Sequence, residues 1–168
     1  VDPGRRAYVR RVTISGNQRT RDQVIRREIR QFEGAWFDSE RIKLSRDRIV
    51  RLGYFQNATI NTEPVPGTPD QDDLLVNVVE QQTGSFTFGV GFSSTDKFLI
   101  SAEINEPNFL GTGNRFSTQL QHNSYSKQFA LSFTDPYFTD DGVSLGWALN
   151  HSDFDYSDRD ANMANFNN

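Results

Sequence analysis

The stretch SFTFGVGFS, Ser85–Ser93, alternates apolar residues with small or polar ones along its whole length. Successive side chains of a β-strand point to opposite faces, so a period of two is the signature of a strand. One face of this strand would carry Phe86, Phe88, Val90 and Phe92, and the other only Ser, Thr and Gly. The stretch therefore predicts a strand with one strongly aromatic face and one small, polar face.

The same period returns in four later segments. The residues on their mainly apolar faces, in chain order, are Phe98, Ile100, Ala102 and Ile104; Phe116, Thr118, Leu120 and His122; Phe129, Leu131 and Phe133; and Val143, Leu145, Trp147 and Leu149. Each segment has about 8–10 residues, near the length that a tilted strand needs to cross a bilayer. A soluble β-sandwich also alternates, so the period by itself leaves both a membrane barrel and a sandwich open.

Two features favour the membrane barrel. The polar face is made of Gly, Ser, Thr, Asn and Gln, which suit a water-filled lumen better than a packed core. The connections also alternate in character, because 94–97 and 123–127 are polar, whereas 107–114 and 135–142 carry aromatic residues. Aromatic residues at strand ends are typical of the interfacial girdle of a barrel. No run of about 18 apolar residues exists, so no transmembrane helix is predicted.

The residues before Ser85 follow other patterns. Tyr8–Ser15 is rich in β-formers and ends at a Gly-Asn turn pair, which predicts a strand. A helix is predicted over 20–34, with Thr20 as its N-cap and with Ile25, Ile29 and Phe32 on one buried face.

A second helix is predicted from the N-cap Asp38 to the stop at Gly53. Its buried stripe is predicted to consist of Ile42, Ser45, Ile49 and Leu52. Two strands should follow at about 57–63 and 73–80, as judged from their apolar patterns. The order β-α-α-β-β predicts a small α+β domain with its helices on one face of a three-stranded sheet.

Charge is distributed unevenly. Residues 1–52 hold 14 Lys/Arg and 7 Asp/Glu, a balance of +7, and the remaining 4 Lys/Arg and 15 Asp/Glu give −11, which sums to the net −4. Such asymmetry indicates two units in different surroundings. The Arg-rich helices carry no nucleic-acid motif, and interleaved acids dilute their charge, so a solvated helix face is predicted and no nucleic-acid partner.

No enzyme signature is present. Gly89-Val90-Gly91 and Gly111-Thr112-Gly113 lack the third glycine of a dinucleotide fingerprint. His122 and His151 have no ligand-spaced partner, and the chain has no cysteine for a disulfide or a thiolate metal site. The sequence therefore predicts no catalytic residue, no cofactor and no metal.

An acidic run near the end resembles a calcium loop only in part. Asp153, Asp155, Asp158 and Asp160 have some of the spacing, but Asp158 stands where an EF-hand needs Gly, and Ala164 replaces the twelfth-position Glu. An acidic loop without metal is predicted. At the other end, Val1 begins a segment without a charged and apolar leader, so no signal peptide is expected there.

Five stretches together resemble one family, the outer-membrane protein assembly factor BamA. RREIRQFEGAW (26–36) and RIVRLGYF (48–55) are similar to the last periplasmic POTRA domain of that family. VPGTPDQDDLLVNVVEQQTGSFTFGVGF (65–92) is similar to the end of that domain running into the first barrel strand. NFLGTGN (108–114) and DPYFTDDGVSLG (135–146) are similar to the first two periplasmic turns. Their order and spacing make the likeness specific over nearly the whole chain.

The resemblance implies an α+β POTRA domain at 1–83, followed at 84–168 by about five antiparallel transmembrane β-barrel strands. The family has five POTRA domains and a barrel of 16 strands, so this chain would be a truncated part. The implied function is assembly and insertion of β-barrel proteins into the bacterial outer membrane, with the N-terminal domain in the periplasm. The alternatives are a POTRA-barrel pore for polypeptide secretion and a soluble nucleic-acid-binding protein with a sandwich tail.

Three candidate binding sites follow. The unpaired edge of the first barrel strand is expected to pair with strands of unfolded outer-membrane proteins by β-augmentation; its residues are Phe86, Thr87, Phe88, Gly89, Val90, Gly91 and Phe92. The edge of the strand with Ala58, Thr59 and Ile60 is a candidate for binding extended polypeptide in the same way, and the alternative is an ordinary edge that its neighbours cover.

The third candidate is Glu33 together with Arg30. A carboxylate near a helix C-terminus is disfavoured by about 0.3–1 kcal/mol, and the predicted first helix ends at Gly34. In the family, the matching stretch contacts the lipoprotein BamD, so the resemblance implies that Glu33 pairs with a cation of such a partner. The alternative reading of Glu33 is a solvated surface residue.

Overall fold

The computed structural model describes residues 7–93 and 97–155, and its contacts divide the chain into two compact units. The first unit comprises Val1–Thr83 and Leu110–Gly113, and the second comprises Gly84–Phe109 and Asn114–Asn168. Within the described residues, no helix is long and apolar enough to cross a membrane.

The first unit has the predicted order of elements. These are β1 (Tyr8–Ser15), α1 (Asp22–Arg26), α2 (Ser39–Arg51), β2 (Phe55–Pro64) and β3 (Gln71–Glu80). The sheet has the order β1-β3-β2, in which β1 runs parallel to β3 and β2 runs antiparallel to it. The prediction of a β-α-α-β-β domain with a three-stranded sheet is confirmed.

The core of this unit lies between the sheet and the two helices. Alternate residues of the strands meet apolar residues of the helices there, and its buried members include Val9, Val12, Leu74, Val76, Val78, Val24, Ile25 and Ile49. Burying one such side chain stabilises the fold by about 1.5–3 kcal/mol relative to leaving it exposed.

The second helix forms as the sequence predicts. The Asp38 side chain accepts hydrogen bonds from the backbone N–H groups of Glu40 and Arg41, which satisfies donors that a helix start leaves open. Ser45 and Ile49 are buried, and the backbone turns at Gly53 with a φ of 76°. Both ends of α2 were therefore predictable from local chemistry.

The prediction of a long first helix over 20–34 is wrong, because α1 ends at Arg26. Thr20 is not its N-cap: Arg21 holds that position without a side-chain cap, and the Thr20 backbone N–H bonds to Glu80. Beyond Arg26, the N–H groups of Glu28 and Ile29 still donate to the carbonyls of Ile25 and Arg26, but the Arg30 N–H leaves this pattern and donates to the Ser45 hydroxyl oxygen at 2.8 Å.

The prediction that Ile25, Ile29 and Phe32 form one buried face is therefore only partly right. Ile25 and Ile29 are buried, but Phe32 is 59% exposed. Glu33 lies outside any helix, so the argument from the helix dipole does not apply to it.

The second unit is one five-stranded antiparallel sheet. Its strands are β4 (Ser85–Ser93), β5 (Lys97–Phe109), β6 (Asn114–Asn123), β7 (Ser126–Asp135) and β8 (Leu145–Phe154). Each strand pairs with the next in chain order, β4-β5-β6-β7-β8. The five alternating segments predicted from the sequence are confirmed, apart from Val143, which lies before β8.

One face of this sheet is apolar and exposed. Phe86 is 68% exposed and Phe92 83% exposed, and no second sheet covers them among the described residues of the unit. A soluble sandwich would bury this face against a second sheet. An apolar face of this size with no covering layer is suited to contact with lipid.

An aromatic row crosses the apolar face near one end of the strands. Phe109 stacks on Phe116 with ring centroids 5.1 Å apart, and Phe133 stacks on Trp147 at 6.1 Å. Phe116 and Phe133 face each other across β6 and β7. The row lies near the turns 110–113 and 136–144, at the end of the sheet where the sequence predicted an aromatic girdle.

Candidate functional site

The outer edge of β4 is the first candidate site. β4 pairs with β5 over its whole length, from Ser85 opposite Asn105 to Ser93 opposite Lys97. On its other side, no strand of the described chain pairs with it. Outward-pointing backbone N–H and C=O groups of such an edge are a template for another strand. All seven residues of the predicted pairing edge, 86–92, lie on this strand.

Two glycines distinguish β4 from its neighbours. A Cβ at Gly89 would lie 2.7 Å from the Ser101 hydroxyl oxygen, a group that can rotate away, and a Cβ at Gly91 would meet nothing closer than Leu99 at 3.9 Å. Close packing on the polar face therefore does not require glycine at position 91. Glycine inside a strand weakens it by removing side-chain contacts and adding entropy to the unfolded chain.

The edge of β2 is the second candidate. In the order β1-β3-β2, one side of β2 has no neighbouring strand among the described residues. The Ala58 side chain is buried in the core, whereas Thr59 is exposed and Ile60 is half-buried. An added strand would therefore bind through backbone groups and not through these side chains.

The opposite edge of the same sheet is covered. The Val9 N–H donates to the Ala35 carbonyl at 3.0 Å, and the Gly34 N–H donates to the Val9 carbonyl at 2.7 Å. The ring of Trp36 stacks on Tyr8 with centroids 4.0 Å apart. The segment after α1 thus occupies β1 and leaves β2 as the edge open to a partner.

Glu33 is the third candidate, and it belongs to this covering segment. Its Oε1 accepts a hydrogen bond from the Val12 N–H at 2.8 Å and lies 3.6 Å from the Arg26 guanidinium. The Glu33 side chain is 49% exposed. The reading of Glu33 as a purely solvated residue is therefore wrong, because one of its oxygens holds the edge of β1.

Both parts of the chain are similar to known protein families. The POTRA family, described as a surface antigen variable number repeat, matches residues 7–81, and the Omp85 superfamily domain matches residues 108–168. The outer membrane protein assembly factor BamA of Neisseria meningitidis serogroup B is 40% identical over 155 residues, which is 92% of this chain. The chain is a homologue of the BamA assembly factors.

Other relatives agree. BamA of Nitratidesulfovibrio vulgaris is 38% identical over 84% of this chain. The crystal structure of Haemophilus ducreyi BamA lacking POTRA domains 1–3 matches 95% of this chain and 30% of its own, with 41% identity and a TM-score of 0.81. The chain spans 19% and 18% of the length of the Neisseria and Nitratidesulfovibrio proteins.

The first unit is therefore a POTRA domain in the periplasm, and the second is a run of barrel strands in the outer membrane. CdiB from Acinetobacter baumannii has a TM-score of 0.56 but only 12% identity, so this likeness shows a shared fold alone. The matched assembly factors form no enzyme family.

A carboxylate of β3 organises the start of α1 in the POTRA domain. The Glu80 carboxylate accepts the backbone N–H groups of Arg19 at 2.9 Å and Thr20 at 2.7 Å. Partial burial raises the pKa of Glu80, but these backbone donors outweigh it and hold the pKa below its ordinary value. Glu80 was predicted only as a strand residue, since nothing local in the sequence links it to residues 60 positions away.

A buried ion pair joins the segment after α1 to α2. Glu28 is almost fully buried, and its Oε2 lies 2.8 Å from an Arg48 guanidinium nitrogen. The predicted solvated face of Arg residues holds for Arg41, Arg46 and Arg51, which are exposed, but not for Arg48. The sequence carries no signal for this pair, because its two members belong to different elements.

Among residues 7–93 and 97–155, no group of three or more His, Asp or Glu side chains is arranged to hold a metal ion. Asp158, Asp160 and Ala164 of the calcium-like run lie outside the described residues. His122 and His151 lie on the apolar face of the sheet, two residues apart in strand register.

Proposed function

We propose that this chain is part of a factor that assembles β-barrel proteins and inserts them into the bacterial outer membrane. One observation carries the proposal: β4, the first barrel strand, is a full-length strand with an unpaired edge beside an exposed apolar face. An incoming strand that pairs with this edge gains backbone hydrogen bonds whatever its sequence. It also gains a lipid-facing position for its own apolar side chains.

The glycines of β4 suit this role. A strand that must exchange one neighbour for another should not be held by strong side-chain packing along its length. Gly89 and Gly91 reduce such packing on the polar face, while Phe88 and Val90 keep the strand anchored on the lipid side.

The POTRA domain supplies a second edge for the same substrates. We propose that β2, at Ala58, Thr59 and Ile60, holds extended segments of unfolded outer-membrane proteins before they reach the barrel. The covered edge of β1 supports this assignment, because it leaves β2 as the open edge of the sheet.

Glu33 and Arg30 are proposed to contact a lipoprotein of the assembly complex, of the BamD type. The Glu33 Oε1 atom is used inside the domain, and Oε2 is available for an Arg or Lys of the partner. Phe32 and Trp36, which flank Glu33 in the sequence, are both about half exposed, so an ion pair here would have apolar surroundings.

The proposed domain boundary lies between residues 83 and 84, and no catalytic step or cofactor is part of the proposal. The alternative of a polypeptide secretion pore is not favoured, because the identities of 38–40% are to assembly factors.

The proposal is tested by reconstituting the full-length protein into liposomes and measuring the folding rate of an unfolded β-barrel substrate on gels. Val90→Pro places a ring in the β4 backbone and removes an N–H donor, so substrate folding should slow towards the rate of empty liposomes. Val90→Ile keeps the backbone and should retain the wild-type rate. If Val90→Pro inserts as a folded barrel and still accelerates substrate folding, strand templating at β4 is wrong.

A further inference from the structure

Gln31 lies between Arg30 and the segment that covers β1, and none of the proposed sites uses it. The residue is only 1% exposed, although glutamine is mostly found at the surface unless its amide is hydrogen-bonded. Its Nε2–H group donates to the Trp36 carbonyl at 2.9 Å, and its Oε1 accepts the Asp38 N–H at 3.0 Å. One buried side chain therefore closes the covering segment, residues 32–38, into a ring.

The two bonds of Gln31 replace those of a neighbouring strand. In extended backbone, a carbonyl and the N–H two residues later point to the same side, where one residue of a parallel strand would bond to both. The Gln31 amide takes that place beside Trp36 and Asp38. On the opposite side, β1 and the residue before it bond to the backbone of Ala35 and Phe37. The covering segment is thus held from both sides.

The side chains of the covering segment remain exposed although its backbone is held. Phe32 is 59% exposed and Trp36 48%, the Glu33 side chain is 49% exposed, and the Trp36 ring stacks on Tyr8. A loop without such bonds would have to be ordered when a partner binds, and that ordering lowers affinity. Because Gln31 fixes the backbone from which these side chains project, their surface is formed before any partner binds.

We propose that Gln31 is a positioning residue for partner binding: it is too deeply buried to touch a partner, but it holds Phe32, Glu33 and Trp36 as one preformed surface. A partner that fits this surface has an Arg or Lys for the Glu33 carboxylate, with apolar side chains around it for the two aromatic rings. The inference rests on the proposed contact of Glu33 and Arg30 with a lipoprotein, and it assigns the residue that shapes this contact from inside the domain.

The test measures the affinity of the full-length protein in detergent for a purified lipoprotein of the BamD type by biolayer interferometry. Gln31→Met keeps the length of the side chain but removes both bonds, so affinity should fall about tenfold, the effect of ordering one or two side chains at an interface. Hydrogen exchange at Asp38 should rise in the same variant, because its N–H loses the Gln31 acceptor. Gln31→Asn, whose amide is one methylene shorter, is the milder variant and should change affinity and exchange in the same directions.

A double-mutant comparison with Glu33 separates positioning from a general loss of stability. Glu33→Gln should weaken binding in the wild-type background but have little further effect beside Gln31→Met, because the covering segment then no longer holds position 33 in place. Glu80→Gln is the matched control. It weakens side-chain bonds to backbone N–H groups in the same domain, but at the end of β3 opposite to the end that pairs with Tyr8. It should leave the affinity for the lipoprotein unchanged.

Three results would overturn the positioning role of Gln31. The first is a Gln31→Met variant that loses protection at Asp38 yet binds the lipoprotein with wild-type affinity. The second is a Glu80→Gln variant that weakens binding as much as Gln31→Met does. The third is additive effects of Gln31→Met and Glu33→Gln, since the two residues would then act independently. If Glu33→Gln alone binds like the wild type, the proposed lipoprotein contact itself is wrong, and the positioning role falls with it.

Discussion

Replacing Glu33 with lysine should loosen the edge of β1 in addition to reversing a charge at the surface. The substitution deletes the acceptor of the Val12 N–H at 2.8 Å and the ion pair with Arg26 at 3.6 Å. A hydrogen bond to a charged group contributes about 1.5–3 kcal/mol, and half exposure favours the lower end. The ion pair adds at most about 0.5 kcal/mol.

The expected loss of stability is therefore about 2 kcal/mol for Glu33→Lys, which corresponds to about a 30-fold change in an equilibrium constant. Hydrogen exchange of the full-length protein measures it locally, in peptides that contain Val12. Glu33→Gln is the matched control, because its amide oxygen can still accept the Val12 N–H while the charge is gone. Its exchange should rise only severalfold.

The same pair of variants separates the structural role of Glu33 from partner contact. If Glu33→Gln keeps Val12 protected but weakens lipoprotein binding, the charge acts directly on the partner. If Glu33→Lys leaves exchange at Val12 unchanged, the account of Glu33 as a clamp on β1 is refuted.

Three further perturbations test other parts of the structure. Glu80→Gln should destabilise the POTRA domain by about 1–2 kcal/mol at neutral pH. Because folding lowers the pKa of Glu80, its contribution to stability is present above the pKa of the unfolded state and is lost as the pH falls through the pKa of the folded state. The thermal unfolding curves of the variant and the wild type should therefore converge in acid. Arg48→Met removes the guanidinium that lies 2.8 Å from the Glu28 carboxylate and should destabilise the domain by about 1.5–3 kcal/mol, the contribution of a hydrogen bond to a charged group, and adding Glu28→Gln should restore part of it in denaturant unfolding. Gly91→Val should strengthen the pairing of β4 with β5 by up to about 1 kcal/mol, because a Cβ at position 91 would have room, with Leu99 at 3.9 Å as its nearest neighbour. The stronger pairing should slow substrate folding in liposomes.

Local chemistry explains which elements the sequence predicted well. β1 has the predicted bounds, and α2 is capped by Asp38 as its N-cap, because strand alternation and helix capping depend on residues close in sequence. The barrel strands were found for the same reason, since their side chains face either lipid or lumen at every step.

Long-range contacts explain what the sequence did not predict. The Glu80 carboxylate accepts the Thr20 N–H before α1, and the Ser45 hydroxyl accepts the Arg30 N–H beyond it; neither acceptor is adjacent in sequence to α1, so its bounds were not predictable from local pattern. The clamp of Glu33 on Val12 and the burial of Glu28 against Arg48 also join separate elements. The edge positions of β2 and β4 were expected, but they follow from sheet order, which the strand pattern alone does not fix.

The most direct test of the account is disulfide crosslinking between single cysteines along Phe86–Phe92 and single cysteines in the terminal strand of a stalled substrate, in the full-length protein. Pairing at the β4 edge predicts a fixed register, so that moving the cysteine from Phe88 to Val90 shifts the crosslinked substrate position by two residues. Crosslinks that form without a register, or none at all while cysteines elsewhere on the barrel react, would contradict strand templating at β4.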